Sequence, residues 1–358
     1  AAKSVLYRWE VSGATASLLN YARNVGNNGD LKTMDKICKL VMAKSKDKLN
    51  VQYKSQALAT YAGFHGFDAF DVLKKASEWP DKTYRNAAYE ASLAIPGKEI
   101  ISAWISYYPK AKTDARPEII SMLGRTGDES VLTIISIALQ DEDYRVRAEA
   151  AAAIAAVRGP AAVPELIEFM KNATGQTDQE AVKSALMSVS GNKEIALLKP
   201  VLTDGSSIAR KTAIELMAWN KGNEYFREVL PFASSPEEPV RAAAVKALAS
   251  LAGPADQNDL INLLSSVQDK AYIADLQSAL ASAATANDDP SSRSDVILRA
   301  LKSSTAKERL IPVLAKTGGK DALDLVLNEF ELGNPDMRDI CFKTLTSWGD
   351  YTASTALY

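Results

Sequence analysis

One histidine and two cysteines are all that this chain of 358 residues offers to imidazole or thiol chemistry. Metal sites and nucleophilic triads draw on several imidazoles, or on one beside a nucleophile. His65 is followed by Gly66 and meets neither condition, so it reads as a structural or incidental loop residue. Cys38 and Cys341 sit near opposite ends of the sequence, too far apart in a stacked fold to share a disulfide or a zinc ion. Each falls on an apolar helical stripe and reads as a small buried hydrophobe. The phosphate-cradling patterns G-x-G-x-x-G and G-x-x-x-x-G-K-[ST] are missing too. The closest phrase, Thr317-Gly318-Gly319-Lys320, has no preceding strand and reads as a helix end followed by the next helix start. No catalytic residue, cofactor or metal ligand is expected.

An excess of basic charge is also lacking. Lys and Arg number 42 against 44 Asp and Glu, for a net charge of -2. A duplex-binding surface carries a basic stripe, so nucleic acid is not an expected partner. No apolar run approaches the ~18 residues that span a bilayer. No segment alternates strictly between apolar and polar, as a half-buried strand does.

What the chain has instead is a recurring phrase. It reads RNAAYEASLAIPG from Arg85, RAEAAAAIAAVRG from Arg147 and RAAAVKALASLAG from Arg241. The arginines, the closing Gly97, Gly159 and Gly253, and Ala at the fourth and seventh positions align without gaps. The offsets are two and three periods of roughly 31 residues, the signature of a helical solenoid. Helices ended by Gly, Asn or Pro are expected throughout, among them 30–44, 51–62, 82–94, 116–124, 144–158, 194–202, 207–219, 224–233, 237–252 and 336–348. They pair into about ten hairpins, none able to bury its apolar stripe alone. Residues 285–294 form a longer polar loop. Paired carboxylates at Asp141/Asp143, Glu237/Glu238 and Asp288/Asp289 stand at helix starts, where they cap free N–H groups.

The stretches LQDEDYRVRAEAAAAI from Leu139 and PVRAAAVKALASLAG from Pro239 resemble HEAT repeats, particularly the bacterial HEAT-like type. The resemblance implies an all-α, right-handed HEAT-type superhelix with a ladder of Asp–Arg contacts. Arg147 and Arg241 match the ladder arginine, Asp141 or Asp143 the acidic turn, and Arg85 and Arg210 also fit the arginine position. It covers residues 81–358, with 1–80 a less regular first section of one array spanning 1–358. HEAT-like enzymes of the deoxyhypusine hydroxylase type carry repeated His-Glu pairs, and none occurs here. The phrases GPADQNDLINLL, TGGKDALDLV and TLTSWGD further resemble HEAT arrays of exported Bacteroidetes proteins, which often precede a 3-keto-disaccharide hydrolase-like domain. That family usually closes on Trp-Pro-Asp, whereas this chain has Trp348-Gly349-Asp350.

On this reading the chain is a non-catalytic scaffold for a protein or glycan, cut from a larger exported bacterial protein. The resemblance favours the periplasm or cell envelope, with the cytoplasm as the other possibility. The alternative is the helical accessory region of a glycoside-cleaving enzyme whose catalytic domain lies outside these residues. Trp104 and Tyr108 share a helix face at i, i+4, a stacking pair for a partner or a core pair. Tyr89, Glu149, Lys211, Glu215 and Lys246 are polar positions on second helices, which usually line the binding face, and Lys183 is another. Their mixed signs give no groove of one charge. Trp219 and Trp348 occupy a repeat position held elsewhere by Ile95, Val157 and Leu251, and read as core.

Overall fold

The computed structural model describes residues 13–44, 50–349 and 351–354, and Asp350 of the closing phrase lies outside them. The described residues are helices, tight turns and short loops without a strand. The helices divide into two compact units, one running to Phe169 plus Glu180–Val189, the other comprising Met170–Gln179 and the chain from Ser190.

The first unit contains α1 (Ala14–Asn27), α2 (Leu31–Lys44), α3 (Val51–His65), α4 (Phe70–Ser77), α5 (Lys82–Leu93), α6 (Glu99–Tyr107), α7 (Ala115–Arg125), α8 (Leu132–Ala138) and α9 (Tyr144–Arg158). α10 (Val163–Asn172) and α11 (Gln176–Val189) are shared between the units. The second unit contains α12 (Ser207–Asn220), α13 (Glu238–Leu251), α14 (Gln257–Ser266), α15 (Ile273–Thr285), α16 (Asp295–Leu301), α17 (Lys307–Thr317), α18 (Lys320–Leu332) and α19 (Pro335–Thr346). Within each unit alternate helices stack on one another. The rows are α1, α3, α5, α7, α9 in the first and α12, α13, α15, α17, α19 in the second. The intervening helices pack behind them, which is the layout of an α-solenoid.

The repeated alanines explain the stacking. Ala88, Ala91, Ala150, Ala153, Ala244 and Ala247 are all buried. Small side chains at these positions let successive second helices approach closely. Helix starts follow the expected chemistry: Asp81, Asp143, Ser206 and Asn334 each accept a backbone N–H from the first turn. Asp289 caps the turn within residues 285–294 in the same way. Glu237 departs from the expectation. It stands at an N-cap position without capping, and its carboxylate instead receives Arg210 Nη1 at 2.9 Å.

The regular helices expected at 194–202 and 224–233 are broken into short α and 3-10 turns. Pro200 and Pro231 supply no N–H there, so the i→i-4 ladder cannot run through. Among the described residues, 144–172 are the one helical stretch long and apolar enough, by length and composition, to cross a membrane. Gly159 (φ 54°) turns the chain in its middle, and the halves become α9 and α10. It is no clear membrane span.

Where α9 ends on Gly159, α12 ends on Lys221 at φ 56°, the one non-glycine residue in this region of backbone space among the described residues. The left-handed region strains a side chain by roughly 1 kcal/mol. Lys221→Gly is therefore expected to raise stability by up to ~1 kcal/mol in urea melts. A neutral or destabilising result would mean that Lys221 makes contacts which outweigh the strain.

His65 closes α3 rather than sitting in a loop. Its Nε2 lies 2.5 Å from Asp35 Oδ1 on α2, and its ring centroid is 4.4 Å from that of Tyr61. Burial pushes the Asp35 carboxyl up, but the hydrogen bonds from His65 and Lys39 outweigh this and hold it below its ordinary value. The unfolded carboxyl titrates near 3.9. Its contribution to stability is thus complete above that pH and disappears as pH falls through the lower folded value. Wild type is expected to lose more stability than Asp35→Asn between pH 5 and pH 3. Parallel losses in urea titrations would refute the pairing.

Candidate partner-binding surface

The recurring arginine builds the scaffold of the surface. Arg147 Nη1 donates to the carbonyls of Asp141 and Glu142, at 2.7 and 2.9 Å. Arg241 Nη1 donates to Ser235 O at 2.7 Å, and Arg85 Nη1 to Trp79 O and Pro80 O at 2.9 and 3.0 Å. Arg210 reaches Leu202 O and Gly205 O. Each guanidinium thus latches the turn just before its own helix, satisfying carbonyls that a helix end leaves free. Gln179 does the same with its amide nitrogen, on Met170 O and Ala173 O. The Asp–Arg ladder implied by the resemblance is therefore largely a latch on backbone. Carboxylate rungs do occur as Arg85–Glu118, Arg116–Asp141 and Arg210–Glu237.

Three helices of the first unit frame a groove of about 670 Å³ above this scaffold. α5 presents Lys82, Arg85, Asn86, Tyr89 and Glu90; α7 presents Glu118, Ser121 and Arg125; α9 presents Arg145 and Glu149. Successive turns of one helix face place Asn86 with Glu90, Ser121 with Arg125 and Arg145 with Glu149. Cations and anions are interleaved and mostly joined. Arg85 forks onto Glu118 with two 2.8 Å bonds. Arg125 forks onto Glu90 at 2.5 and 3.0 Å, and its hydrogen bonds hold that carboxyl below the usual range. Arg145 bridges Asp114 and Asp143 at 3.1 and 2.7 Å. Tyr89 forms part of the wall. Burial, reinforced by the charge of Glu118, pushes its phenol well above its ordinary value, and its hydroxyl has no hydrogen-bond partner.

The sequence candidates separate sharply. Tyr89 and Glu149 line the groove. Trp104 does not: it is 0% exposed, donates from Nε1 to Ser92 Oγ at 3.0 Å and packs edge-on against Phe70. Tyr108 is buried as well, with Arg116 over its ring. The stacking pair expected from i, i+4 spacing thus faces the core, because α6 turns that face toward its neighbours. Lys211, Glu215 and Lys246 lie in the second unit and line no part of this groove. Lys211 and Glu215 form a 3.7 Å pair along α12, and Lys246 is exposed on α13. Sequence reasoning missed Asn86, Glu90, Glu118, Ser121 and Arg125. The signal that finds them is their register on α5 and α7 relative to the repeated arginine.

Two further expectations resolve differently. Cys38 and Cys341 are buried, and burial raises both thiols to about 11, which leaves them inert as nucleophiles. Trp348 is buried, but Trp219 is 42% exposed, so the core reading fails for it. An indole is larger than the Leu251 that fills the matching site, and at the end of α12 its ring projects into solvent. Among the described residues no group of three or more His, Cys, Asp or Glu is placed to hold a metal.

The repeats now have a counterpart among known families: residues 101–187 and 195–281 match HEAT repeats. With the alternating helix rows, the match supports an all-α helical solenoid whose matched segments are HEAT repeats. Among solved structures, a Kap121p mutant aligns over 97% of this chain and 46% of its own, with 11% identity and a TM-score of 0.52. That likeness shows the fold, and the chain spans under half of the Kap121p length. Importin beta aligns over 97% of this chain and 60% of its own, at 11% identity and a TM-score of 0.40. Human deoxyhypusine hydroxylase in complex with glycerol aligns over 79% and 96%, at 14% identity and a TM-score of 0.30. A search of curated proteins finds no match.

Proposed function

We propose that this chain is a non-catalytic scaffold that holds a protein partner on the face formed by α5, α7 and α9. The observation that carries the reading is the groove itself, with its neighbouring helices locked by arginine latches and its rim carrying exposed ion pairs. Such pairs contribute little to the fold, so their polar groups are available to exchange for a partner's. Its four basic and four acidic side chains balance, and this supports a protein partner over a polyanion. On the sequence resemblance, the scaffold belongs to a larger exported bacterial protein, and any glycoside-cleaving chemistry lies outside these residues.

A photo-crosslinking residue at Asn86, in the groove, tests this against one at Lys316, an exposed position on α17. The expected result is a discrete adduct in extracts of the source organism from the Asn86 site alone. Equal adducts from both sites would remove the groove from consideration. Turnover of a sugar substrate by the isolated chain would overturn the non-catalytic reading.

A further inference from the structure

The groove's three guanidiniums are engaged, and it holds a carboxylate that is not. Arg85, Arg125 and Arg145 are each forked or bridged to carboxylates. Lys82 stands exposed at the rim, where water serves its ammonium. Glu149 is different: it is half-buried on α9, and among the described residues no hydrogen bond or ion pair reaches it. Tyr89 is 3% exposed, and its hydroxyl is likewise unpartnered beside Glu118 and Arg85. A half-buried carboxylate without a partner is unfavourable, and a buried hydroxyl without one adds to the deficit. Both are relieved by the same visitor, one that brings N–H donors and positive charge. An anionic visitor would instead be repelled by Glu149.

We infer that the groove takes a cationic side chain, a guanidinium or ammonium, from a basic segment of the protein partner, with Glu149 as its counter-ion and Tyr89 as a second contact. The inference rests on the scaffold reading above and specifies the chemistry of the partner. A guanidinium suits the site well, because its planar fork can meet a carboxylate with two bonds and still present an N–H to a phenol oxygen. The groove, about 670 Å³, has room for such a side chain and the backbone that carries it.

Fluorescein-labelled hexa-arginine is the probe, and hexa-citrulline its neutral isostere. Anisotropy titrations with the full chain should give saturable binding for the first and none for the second. Glu149→Gln should weaken binding tenfold or more. Glu331→Gln, an exposed carboxylate in the other unit, should leave it unchanged and so controls for general attraction to an acidic protein. Tyr89→Phe should weaken binding severalfold while leaving the thermal midpoint equal or higher, because the lost hydroxyl had no partner in the free protein. A purely structural tyrosine would show the reverse. Unaltered binding by Glu149→Gln, an equal loss in Glu331→Gln, or no hexa-arginine binding at all would each overturn the inference. Crosslinking at Asn86 in the face of any of these would leave the scaffold reading standing.

Discussion

Gly124→Ala is expected to destabilise the protein by about 1–3 kcal/mol, the range of overpacking a tight core. Helix propensity alone predicts the opposite sign, since alanine is favoured over glycine by about 1 kcal/mol inside a helix. Packing decides. A Cβ at position 124 would stand 2.5 Å from Ala153 Cβ and 2.7 Å from Ala153 Cα. The second of these is backbone of α9, which cannot swing aside as a long side chain can. Gly124→Val should be worse and is expected to abolish cooperative unfolding of this region. Ala153→Gly should recover part of the loss in Gly124→Ala, a coupling that a double-mutant cycle in urea reads directly. A stabilising Gly124→Ala would refute the close crossing of α7 and α9 at this turn.

Arg85→Met is the second large effect. Arg85 and Glu118 are both largely buried, with side-chain exposures of 13% and 14%. Removing the guanidinium strands the Glu118 carboxylate and frees the carbonyls of Trp79 and Pro80. The expected loss is about 3 kcal/mol, the scale found when one partner of a buried pair is deleted. Adding Glu118→Leu should restore much of it, because the cost lies in the unpaired charge more than in the lost attraction. A loss under about 0.5 kcal/mol in Arg85→Met would place the pair with ordinary surface ion pairs. Circular dichroism of both variants separates local loosening from loss of the helices.

These two cases show what was legible in the amino-acid order. The recurring arginine and the two alanines after it gave the period, the second helices and the close stacking, since all three are side chains with a fixed place on a helix. Gly124 reads in sequence as a helix stop, as glycine usually does, yet α7 runs on to Arg125 and the glycine serves a crossing with α9. Local sequence carries no record of which neighbour approaches at that turn. Trp104 and Trp219 failed in opposite directions for a related reason. Period tells which residues share a helix face, but whether that face meets solvent depends on helices behind it, and α6 and α12 are covered differently. Of the candidate groove, Tyr89 and Glu149 could be found from register. The forks that neutralise Arg85 and Arg125 join residues 33 and 35 positions apart and could not.

The arginine latches also set a timetable. Those of Arg85, Arg147, Arg210 and Arg241 close over 5–8 residues of chain. Contacts of such short range form early, before distant parts of the molecule have met. Arg309 is the exception, for its Nη1 binds the carbonyls of Leu264, Ser265 and Val267 from 42–45 residues away. That bond cannot form until α14 and α17 have both arrived. During synthesis or refolding, the hairpins before it can therefore click shut one by one, while the segment around α17 must wait for a finished predecessor to receive it.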